Sequence, residues 1–165
     1  MNKRIAICPG SFDFITIGHL DIIRRAAAIF DEIIVVAMNN ADKKYTFTPQ
    51  ERIDMIKKST AGIKNVTVDL YDGLLAEYAA SKNACAIIKG LRAMSDFEYE
   101  FQMALTNKKL NPKVETLFLT TSAQNMYLSS SMVKQIASMG GDVSDFVPQV
   151  ILGDILKKLS PQITI

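Results

Sequence analysis

Residues 5–19 of the chain have the sequence IAICPGSFDFITIGH. Residues 5–8 are apolar throughout and rich in Ile, which predicts a buried strand of a parallel sheet. The glycine-containing loop that follows leads to Gly18-His19, where an amphipathic helix begins. The apolar residues of that helix recur at helical spacing, at Leu20, Ile23, Ala27 and Phe30. A strand, a loop and a helix in this order predict the first unit of an α/β fold.

The same alternation continues along the chain. Runs rich in Ile and Val predict five strands, over residues 5–8, 33–38, 66–70, 85–89 and 114–119. Two stretches have the form of capping boxes, Thr48-Pro49-Gln50-Glu51 and Ser95-Asp96-Phe97-Glu98, the latter for a helix running to about Lys109. Other helical patterns cover residues 74–82, residues 130–139 before Gly140-Gly141, and the segment after Pro148.

This order of elements predicts a three-layer, Rossmann-like α/β fold, with a five-stranded parallel sheet and helices on both faces. No repeat, low-complexity stretch or linker interrupts it, so we expect a single domain over residues 1–165. The apolar residues around 70–75 and those of the last helix are expected to belong to the core rather than to an interface.

The composition excludes several classes of protein. The chain is 48% hydrophobic and carries a net charge of +2, which is typical of a globular protein and disfavours general nucleic-acid binding. Without a long apolar run or a signal-peptide pattern, we expect no membrane contact and a cytoplasmic location. Cys8 and Cys85 lie in apolar runs, which predicts two buried, unpaired thiols.

Polar residues cluster where predicted strands end, which is the edge at which open parallel sheets bind ligands. Ser11 offers a hydroxyl and an amide to a phosphate group. His19, the only histidine, opens the first long helix, where free amides and the helix dipole favour anions. A capping or solvated histidine is the alternative for this residue.

Cations follow two other strands. Lys43-Lys44 comes after the second strand, as a phosphate-binding loop or simply as solvated lysines. Lys89-Gly90-Leu91-Arg92 follows the fourth, where a glycine between two cations would allow close approach to a triphosphate. Ser129-Ser130-Ser131 precedes a helical run, as an N-cap that is also an anion site.

These segments resemble a known family. Thr16-Ile17-Gly18-His19 is similar to the Thr/His-x-Gly-His turn of the nucleotidyltransferase superfamily related to class I aminoacyl-tRNA synthetases, and neither a Gly-x-Gly-x-x-Gly motif nor a P-loop is present. Together with the matching segments further along, the chain resembles the phosphopantetheine adenylyltransferase family. The carrying segments are residues 9–13, 16–19, 90–92, 96–100 and 128–131.

The resemblance implies transfer of the adenylyl group of ATP to 4′-phosphopantetheine, giving 3′-dephospho-coenzyme A and pyrophosphate. The acceptor phosphate would attack the α-phosphorus in line, with Mg²⁺ carried mainly by the phosphates rather than by protein ligands. It also implies a homohexamer.

Site residues follow from the same resemblance. His19 would stabilise the transition state. The residues implied in ATP binding are Ser11, Phe12, His19, Gly90, Leu91, Arg92, Glu100, Asn125, Met126, Tyr127, Leu128, Ser129, Ser130 and Ser131. Those implied in phosphopantetheine binding are Ser11, Lys43, Leu75 and Lys89, and no metal ligand is implied.

Three residues depart from the family's pattern. Lys89 stands where arginine is common, Phe14 where proline is common, and Asn125 where tryptophan is frequent. Two other functions remain open from the residues alone: a sister nucleotidyltransferase with a different acceptor, and a nucleotide-binding sensor without activity.

Overall fold

The structure, a computed structural model, describes residues 3–40, 43–92 and 94–160. Its strands are β1 (Ile5–Gly10), β2 (Glu32–Met38), β3 (Val66–Tyr71), β4 (Ala86–Leu91) and β5 (Glu115–Thr120). Its helices are α1 (Ile17–Ala27), α2 (Pro49–Thr60), α3 (Leu75–Ser81), α4 (Met94–Leu110), α5 (Ser130–Ser138) and α6 (Gln149–Leu159). A short 3₁₀ turn, Ala123–Asn125, precedes α5.

The five strands form one parallel sheet in the order β3-β2-β1-β4-β5. The pairing of β1 with β4 is short, since only Ala6 with Ala86 and Ile7 with Ile87 lie opposite each other. Beyond Ile7 the two strands separate at their carboxyl ends. Because the strand order also reverses between β1 and β4, this is the place where ligands bind in such sheets.

Helices cover both faces of the sheet, as predicted. Ala6 and Cys8 of β1 face the larger core, which is completed by the apolar sides of α1, α2, α5 and α6. Ile7 faces the opposite way, into a smaller core with Tyr78 of α3. The alternation along one strand thus gives three layers, and the predicted fold class is confirmed.

Helices α1 and α2 each begin with a capping box. Thr48 caps α2, and its capping box with Glu51 is present as predicted. Thr16 caps α1 and forms an equivalent box in which the side chain of His19 accepts from the backbone N–H of Thr16. Such reciprocal pairs satisfy two amides that the helix itself leaves free.

Some predicted boundaries are wrong. Helix α4 begins at Met94, so Ser95 lies inside the first turn and is not the N-cap. Strand β1 runs on to Gly10, because Pro9 and Gly10 pair with residues of β2. Helix α1 ends at Ala27, before Phe30, whose partly buried side chain nevertheless packs on the larger core.

Two predictions of burial are also wrong. Cys85 is exposed, because it precedes β4 at the amino edge of the sheet, where its backbone N–H donates to Ile5 at 2.9 Å. Cys8 is buried as predicted. Leu70 and Leu74 are 40% and 53% exposed, since β3 is an edge strand and Leu74 precedes α3. In the last helix, Ile151 and Ile155 are core residues.

Within the residues that the structure describes, none of the helices combines the length and apolar character needed to cross a membrane.

Candidate active site

A cleft of about 1040 Å³ opens at the carboxyl edge of the sheet. It is bordered by the segments that follow β1, β2 and β4, by one side of α4, and by the first turn of α5. Among the described residues that line it, five side chains are cationic: Lys43, Lys44, Lys89, Arg92 and Lys134. Three are acidic: Asp13, Asp96 and Glu100. The balance favours an anionic ligand.

The loop after β1 is held in an unusual backbone conformation. Phe12 has a φ of 43°, in the left-handed region that non-glycine residues rarely adopt. Its ring lies 2.9 Å from where a Cβ of residue 10 would be, so Gly10 is needed to admit the ring. The same ring packs edge-on against the imidazole of His19, with 5.3 Å between centroids. The loop therefore fixes the position of His19.

Phe14 anchors the other end of this loop. Its side chain is fully buried and meets Phe47 edge-on, with 5.9 Å between ring centroids. Aromatic packing thus restrains this end of the loop.

His19 sits in the first turn of α1, partly buried at the cleft wall. The backbone N–H of Thr16 donates to Nδ1 of His19 at 3.1 Å, which leaves the ring proton of a neutral imidazole on Nε2. Burial, and then the charges of Arg92 and Lys89, lower the pKa of His19 to about 4. Near neutral pH the imidazole is therefore a neutral Nε2–H donor.

Ser11 and Lys43, which the sequence predicts in the acceptor site, lie together. Nζ of Lys43 donates to Oγ of Ser11 at 3.3 Å, although 32 residues separate them in the chain. The carboxyl ends of β1 and β2 are neighbours in the sheet, and this brings the two loops together. A hydroxyl and an ammonium side by side can bind one phosphate group.

Two cations at the carboxyl end of β4, one in the strand and one just after it, are each paired with an acid of α4. Lys89 lies 3.1 Å from Glu100, and Arg92 lies 3.4 Å from Asp96. Arg92 also donates to the carbonyl of Leu128 at 2.8 Å, which ties β4 to the segment before α5. These pairs hold the two cations at the cleft.

Gly90 is explained by packing as well as by access to a ligand. A Cβ at this position would lie 3.0 Å from Cγ1 of Ile22 on α1, which is tighter than most Cβ contacts in proteins. A larger residue here would therefore require the Ile22 side chain to shift.

The serine segment caps α5 at the cleft. Ser129 is the N-cap, and its hydroxyl accepts from the backbone N–H of Met132 at 3.1 Å. Ser130 donates to the carbonyl of Phe14 at 3.1 Å, which links α5 to the β1–α1 loop. The segment is thus both a structural cap and a wall of the cleft.

Most residues predicted for the site line this one cleft. They are Ser11, Phe12, His19, Lys43, Leu75, Lys89, Gly90, Arg92, Glu100, Asn125, Leu128, Ser129, Ser130 and Ser131. Leu91, Met126 and Tyr127 are not among its lining residues; Met126 and Tyr127 are exposed beside it.

Sequence analysis missed an ion pair that joins three segments of the site. Asp13 is 6% exposed, and its carboxylate pairs with Lys134 of α5. The backbone N–H of Thr46 donates to Oδ2 of Asp13 at 2.9 Å, and that of Phe47 donates to Oδ1 at 2.9 Å. Lys134 follows Ser130 by one helical turn, which is the signal that could have placed it at the cleft.

The far wall of the cleft was missed as well. Leu74, Tyr99, Met103 and Asn107 line it beside Lys89 and Glu100. Met103 lies three residues after Glu100, and Asn107 lies four residues after Met103, so all three share one face of α4. This spacing could have predicted Met103 and Asn107 from Glu100.

The donor groups of the described residues do not form a metal site made by the protein alone. Within residues 3–40, 43–92 and 94–160, no group of three or more His, Cys, Asp or Glu side chains could hold a metal ion. The acids of the cleft, Asp13, Asp96 and Glu100, are each engaged by a cation. A divalent ion there would depend on oxygens supplied by a ligand.

Comparison with known proteins agrees with this geometry. The Cytidylyltransferase-like family model matches residues 7–136. A solved structure from Vibrio parahaemolyticus, provisionally named a nicotinate-nucleotide adenylyltransferase, has the same fold, with a TM-score of 0.68 at 17% identity over 96% of this chain and 99% of that one.

Closer relatives are named phosphopantetheine adenylyltransferase. The protein of Caldanaerobacter subterraneus subsp. tengcongensis is 58% identical, over 94% of this chain and 97% of its own length. That of Alkaliphilus metalliredigens is 54% identical, over 94% of this chain and 99% of its own. With such identity over nearly the whole of both chains, and with the family's motifs assembled at one cleft, the chain belongs to the phosphopantetheine adenylyltransferase family.

Proposed function

We propose that this chain transfers the adenylyl group of ATP to 4′-phosphopantetheine, releasing pyrophosphate and forming 3′-dephospho-coenzyme A. The observation that carries the proposal is the cationic cleft in which His19 presents a neutral Nε2–H beside Lys89 and Arg92. The names of the relatives support the choice of acceptor.

The ATP half of the cleft is formed by α1, the start of α5 and the end of β4. His19 and the capped N-terminus of α5 offer hydrogen-bond donors to phosphate oxygens, and Arg92 offers a charged fork. We assign to this half the ATP-binding residues that the sequence predicts. Asn125, whose Cβ lies 3.6 Å from where a Cβ of Gly18 would be, would border the nucleotide.

The acceptor half extends from Ser11 and Lys43 toward α4. The Ser11–Lys43 pair and Lys89 would hold the phosphate of phosphopantetheine. Its arm is apolar with two amide groups, and the wall formed by Leu75, Met103 and the buried Asn107 offers both apolar contact and an amide partner.

The reaction needs no nucleophile from the protein, because the acceptor phosphate is itself one. One of its oxygens forms a bond to the α-phosphorus of ATP as the bond from the α-phosphorus to the bridging oxygen breaks, and pyrophosphate leaves with that electron pair. His19, Lys89 and Arg92 would stabilise the charge that builds on the phosphate oxygens. The contribution of the chain is thus positioning and charge stabilisation.

We propose that Mg²⁺ enters with ATP. Bound to the triphosphate, it would neutralise charge on the leaving pyrophosphate. The paired acids of the cleft fit this arrangement, since they supply no cage of their own.

We also propose a homo-oligomer, for which the family resemblance gives a hexamer, acting in the cytoplasm. Apolar side chains at a spacing of four residues along α4 support an assembly: Phe97 is 37% exposed, Phe101 46% and Leu105 56%. A face of this kind on one helix is more apolar than a solvent-facing surface needs to be.

Release of pyrophosphate from ATP or CTP with a series of acceptors tests the function. We expect release with ATP and 4′-phosphopantetheine only. Activity with nicotinate mononucleotide or with CTP and glycerol phosphate would instead identify a sister enzyme, and nucleotide binding without release would identify a sensor.

A further inference from the structure

Arg52 is a buried arginine that forms an ion pair with none of the acids that the structure describes. It lies in the first turn of α2, and its side chain is 1% exposed, among the largest fully buried side chains. No carboxylate pairs with it among the described residues, and its Nε has no hydrogen-bond partner there. A buried charge without a counter-ion is costly, so a guanidinium retained in this setting calls for an explanation beyond packing.

The guanidinium is held by the backbone carbonyls of two residues that line the cleft and by the side-chain amide of a neighbouring residue. Nη1 donates to the carbonyl of Ser11 at 2.7 Å and to that of Met38 at 3.3 Å. Nη2 donates to the side-chain oxygen of Asn39. One planar group therefore joins the loop after β1 to the end of β2.

An aromatic ring fixes the plane of that group. The guanidinium carbon of Arg52 lies 4.2 Å from the centroid of the Tyr45 ring. The Tyr45 hydroxyl donates to the carbonyl of Met38 at 3.3 Å and accepts from the backbone N–H of Asn40 at 2.6 Å. Arg52 thus has a fixed orientation, and a flexible ammonium could not make the same set of contacts.

We propose that Arg52 is a positioning residue that aligns Ser11 with Lys43, so that the two groups form a single phosphate site. Arg52 fixes the position of Ser11 by donating to its carbonyl, and this directs the Ser11 hydroxyl toward Lys43. Nζ of Lys43 lies 3.3 Å from that hydroxyl. The left-handed backbone of Phe12 immediately after Ser11 is kept by the same anchor. The inference rests on the proposed function, because it concerns the acceptor's phosphate.

Two variants separate the planar fork from the charge. Arg52→Lys keeps the charge and loses the fork, and Arg52→Met keeps the length and loses both. Met55→Ala is the matched control: Met55 is 2% exposed on the same helix and packs in the larger core, so it lowers stability without touching the cleft. The melting temperatures of the three variants show whether each one folds. They also show whether Met55→Ala lowers stability as much as the two Arg52 variants do.

We expect both Arg52 variants to raise the KM for phosphopantetheine by about ten- to a hundredfold, with the KM for ATP changed less. Met55→Ala should leave both KM values as they are. Asn39→Ala removes one hydrogen-bond acceptor of the guanidinium and leaves α2 intact, so it should also raise the KM for phosphopantetheine. This variant provides the test if the Arg52 variants do not fold. Unchanged KM values in folded variants, or full activity in Arg52→Lys, would overturn the proposal.

Titration with inorganic phosphate tests the role of Arg52 without requiring catalysis. Binding is followed by NMR at the backbone amide of Ser11. Weaker phosphate binding in Arg52→Lys than in the wild type or Met55→Ala supports the proposal even if the wild type makes no product, in which case the proposed function alone fails. Equal phosphate binding in all of them would contradict the role of Arg52.

Discussion

The backbone N–H of Thr16 donates to Nδ1 of His19 at 3.1 Å, and the N–H of His19 returns a bond to Oγ1 of Thr16 at 3.3 Å. The cap that begins α1 is therefore also what sets the tautomer of the imidazole. Because Nδ1 is occupied as an acceptor, the ring directs Nε2–H toward the cleft. Fold and chemistry are joined in one pair of residues.

Removal of His19 should lower kcat by roughly 10²–10⁴-fold with a smaller effect on the affinity for ATP, since its hydrogen bond strengthens in the transition state. His19→Gln, whose amide nitrogen can approach the place of Nε2, should retain more activity than His19→Asn, whose amide reaches only the place of Nδ1. Steady-state kinetics of the three variants give the comparison. Near-normal turnover in His19→Ala would remove His19 from the mechanism.

The single histidine makes its titration directly measurable. By NMR of the imidazole C–H signals in tag-free protein, we expect a pKa near the value of about 4 that burial and the neighbouring cations give His19. Since the unfolded chain binds this proton at higher pH than the folded one, the contribution to stability is complete above pH 6.5 and is lost as the pH falls toward 4.

Binding of ATP should raise the pKa of His19, because phosphate charge favours the protonated ring. A free-enzyme pKa close to 6.5, or a pKa that falls on binding ATP, would contradict the environment described for this residue.

Lys89 tests the acceptor site at the position where this chain departs from the family. Lys89→Met should raise the KM for phosphopantetheine about tenfold or more, because a charge-assisted contact to phosphate is lost. Lys89→Arg should give a KM equal to or lower than that of the wild type, since the planar fork can contact two oxygens. An unchanged KM for phosphopantetheine in Lys89→Met would show that Lys89 only pairs with Glu100 and does not bind the acceptor.

The buried pair of Asp13 and Lys134 should be important for stability. Asp13→Ala leaves Lys134 without its partner and the amides of Thr46 and Phe47 without an acceptor, so we expect a loss of about 3–5 kcal/mol in the free energy of unfolding. Lys58→Met, which breaks the exposed pair with Asp154, should cost less than about 1 kcal/mol. Urea unfolding of both variants makes the comparison, and equal losses would be evidence against the buried anchor.

The exposed face of α4 should mediate assembly. Leu105→Lys should reduce the mass of the particle measured by light scattering, because a charge would have to be buried in an apolar interface. Ile29→Lys changes a side chain of similar exposure beyond the end of α1 and should leave the mass unchanged. A wild-type particle with the mass of one chain would rule out the assembly.

The fold could be predicted from sequence because the relevant signals are local. Ile and Val runs identify buried parallel strands, and Thr48 with Glu51 marks the start of α2. The ends of elements could not be found in this way. Gly10 extends β1 because a neighbouring strand pairs with it, and β4 runs on to Leu91 because β5 pairs with it there.

The site residues also fall into those that the sequence predicts and those that depend on long-range packing. Motif residues such as His19 and Arg92 lie where the strand order brings them, so topology and resemblance were enough to predict them. Asp13 and Lys134 are 121 residues apart, and their pairing depends on how α5 packs against the first loop. Arg52 follows a capping box, which marks the start of a helix but not which of its side chains are buried. Its burial depends on contacts with Ser11, Met38 and Tyr45, which precede it in three separate parts of the chain.

Phosphorus NMR of the complete reaction is the most direct test of the central claim. With ATP, Mg²⁺ and 4′-phosphopantetheine, we expect the phosphomonoester signal of the acceptor to disappear while the signals of a new diphosphate diester and of pyrophosphate grow in equal amounts. An acceptor signal that persists with active, folded protein, or pyrophosphate that forms without the diester, would contradict adenylyl transfer to this acceptor.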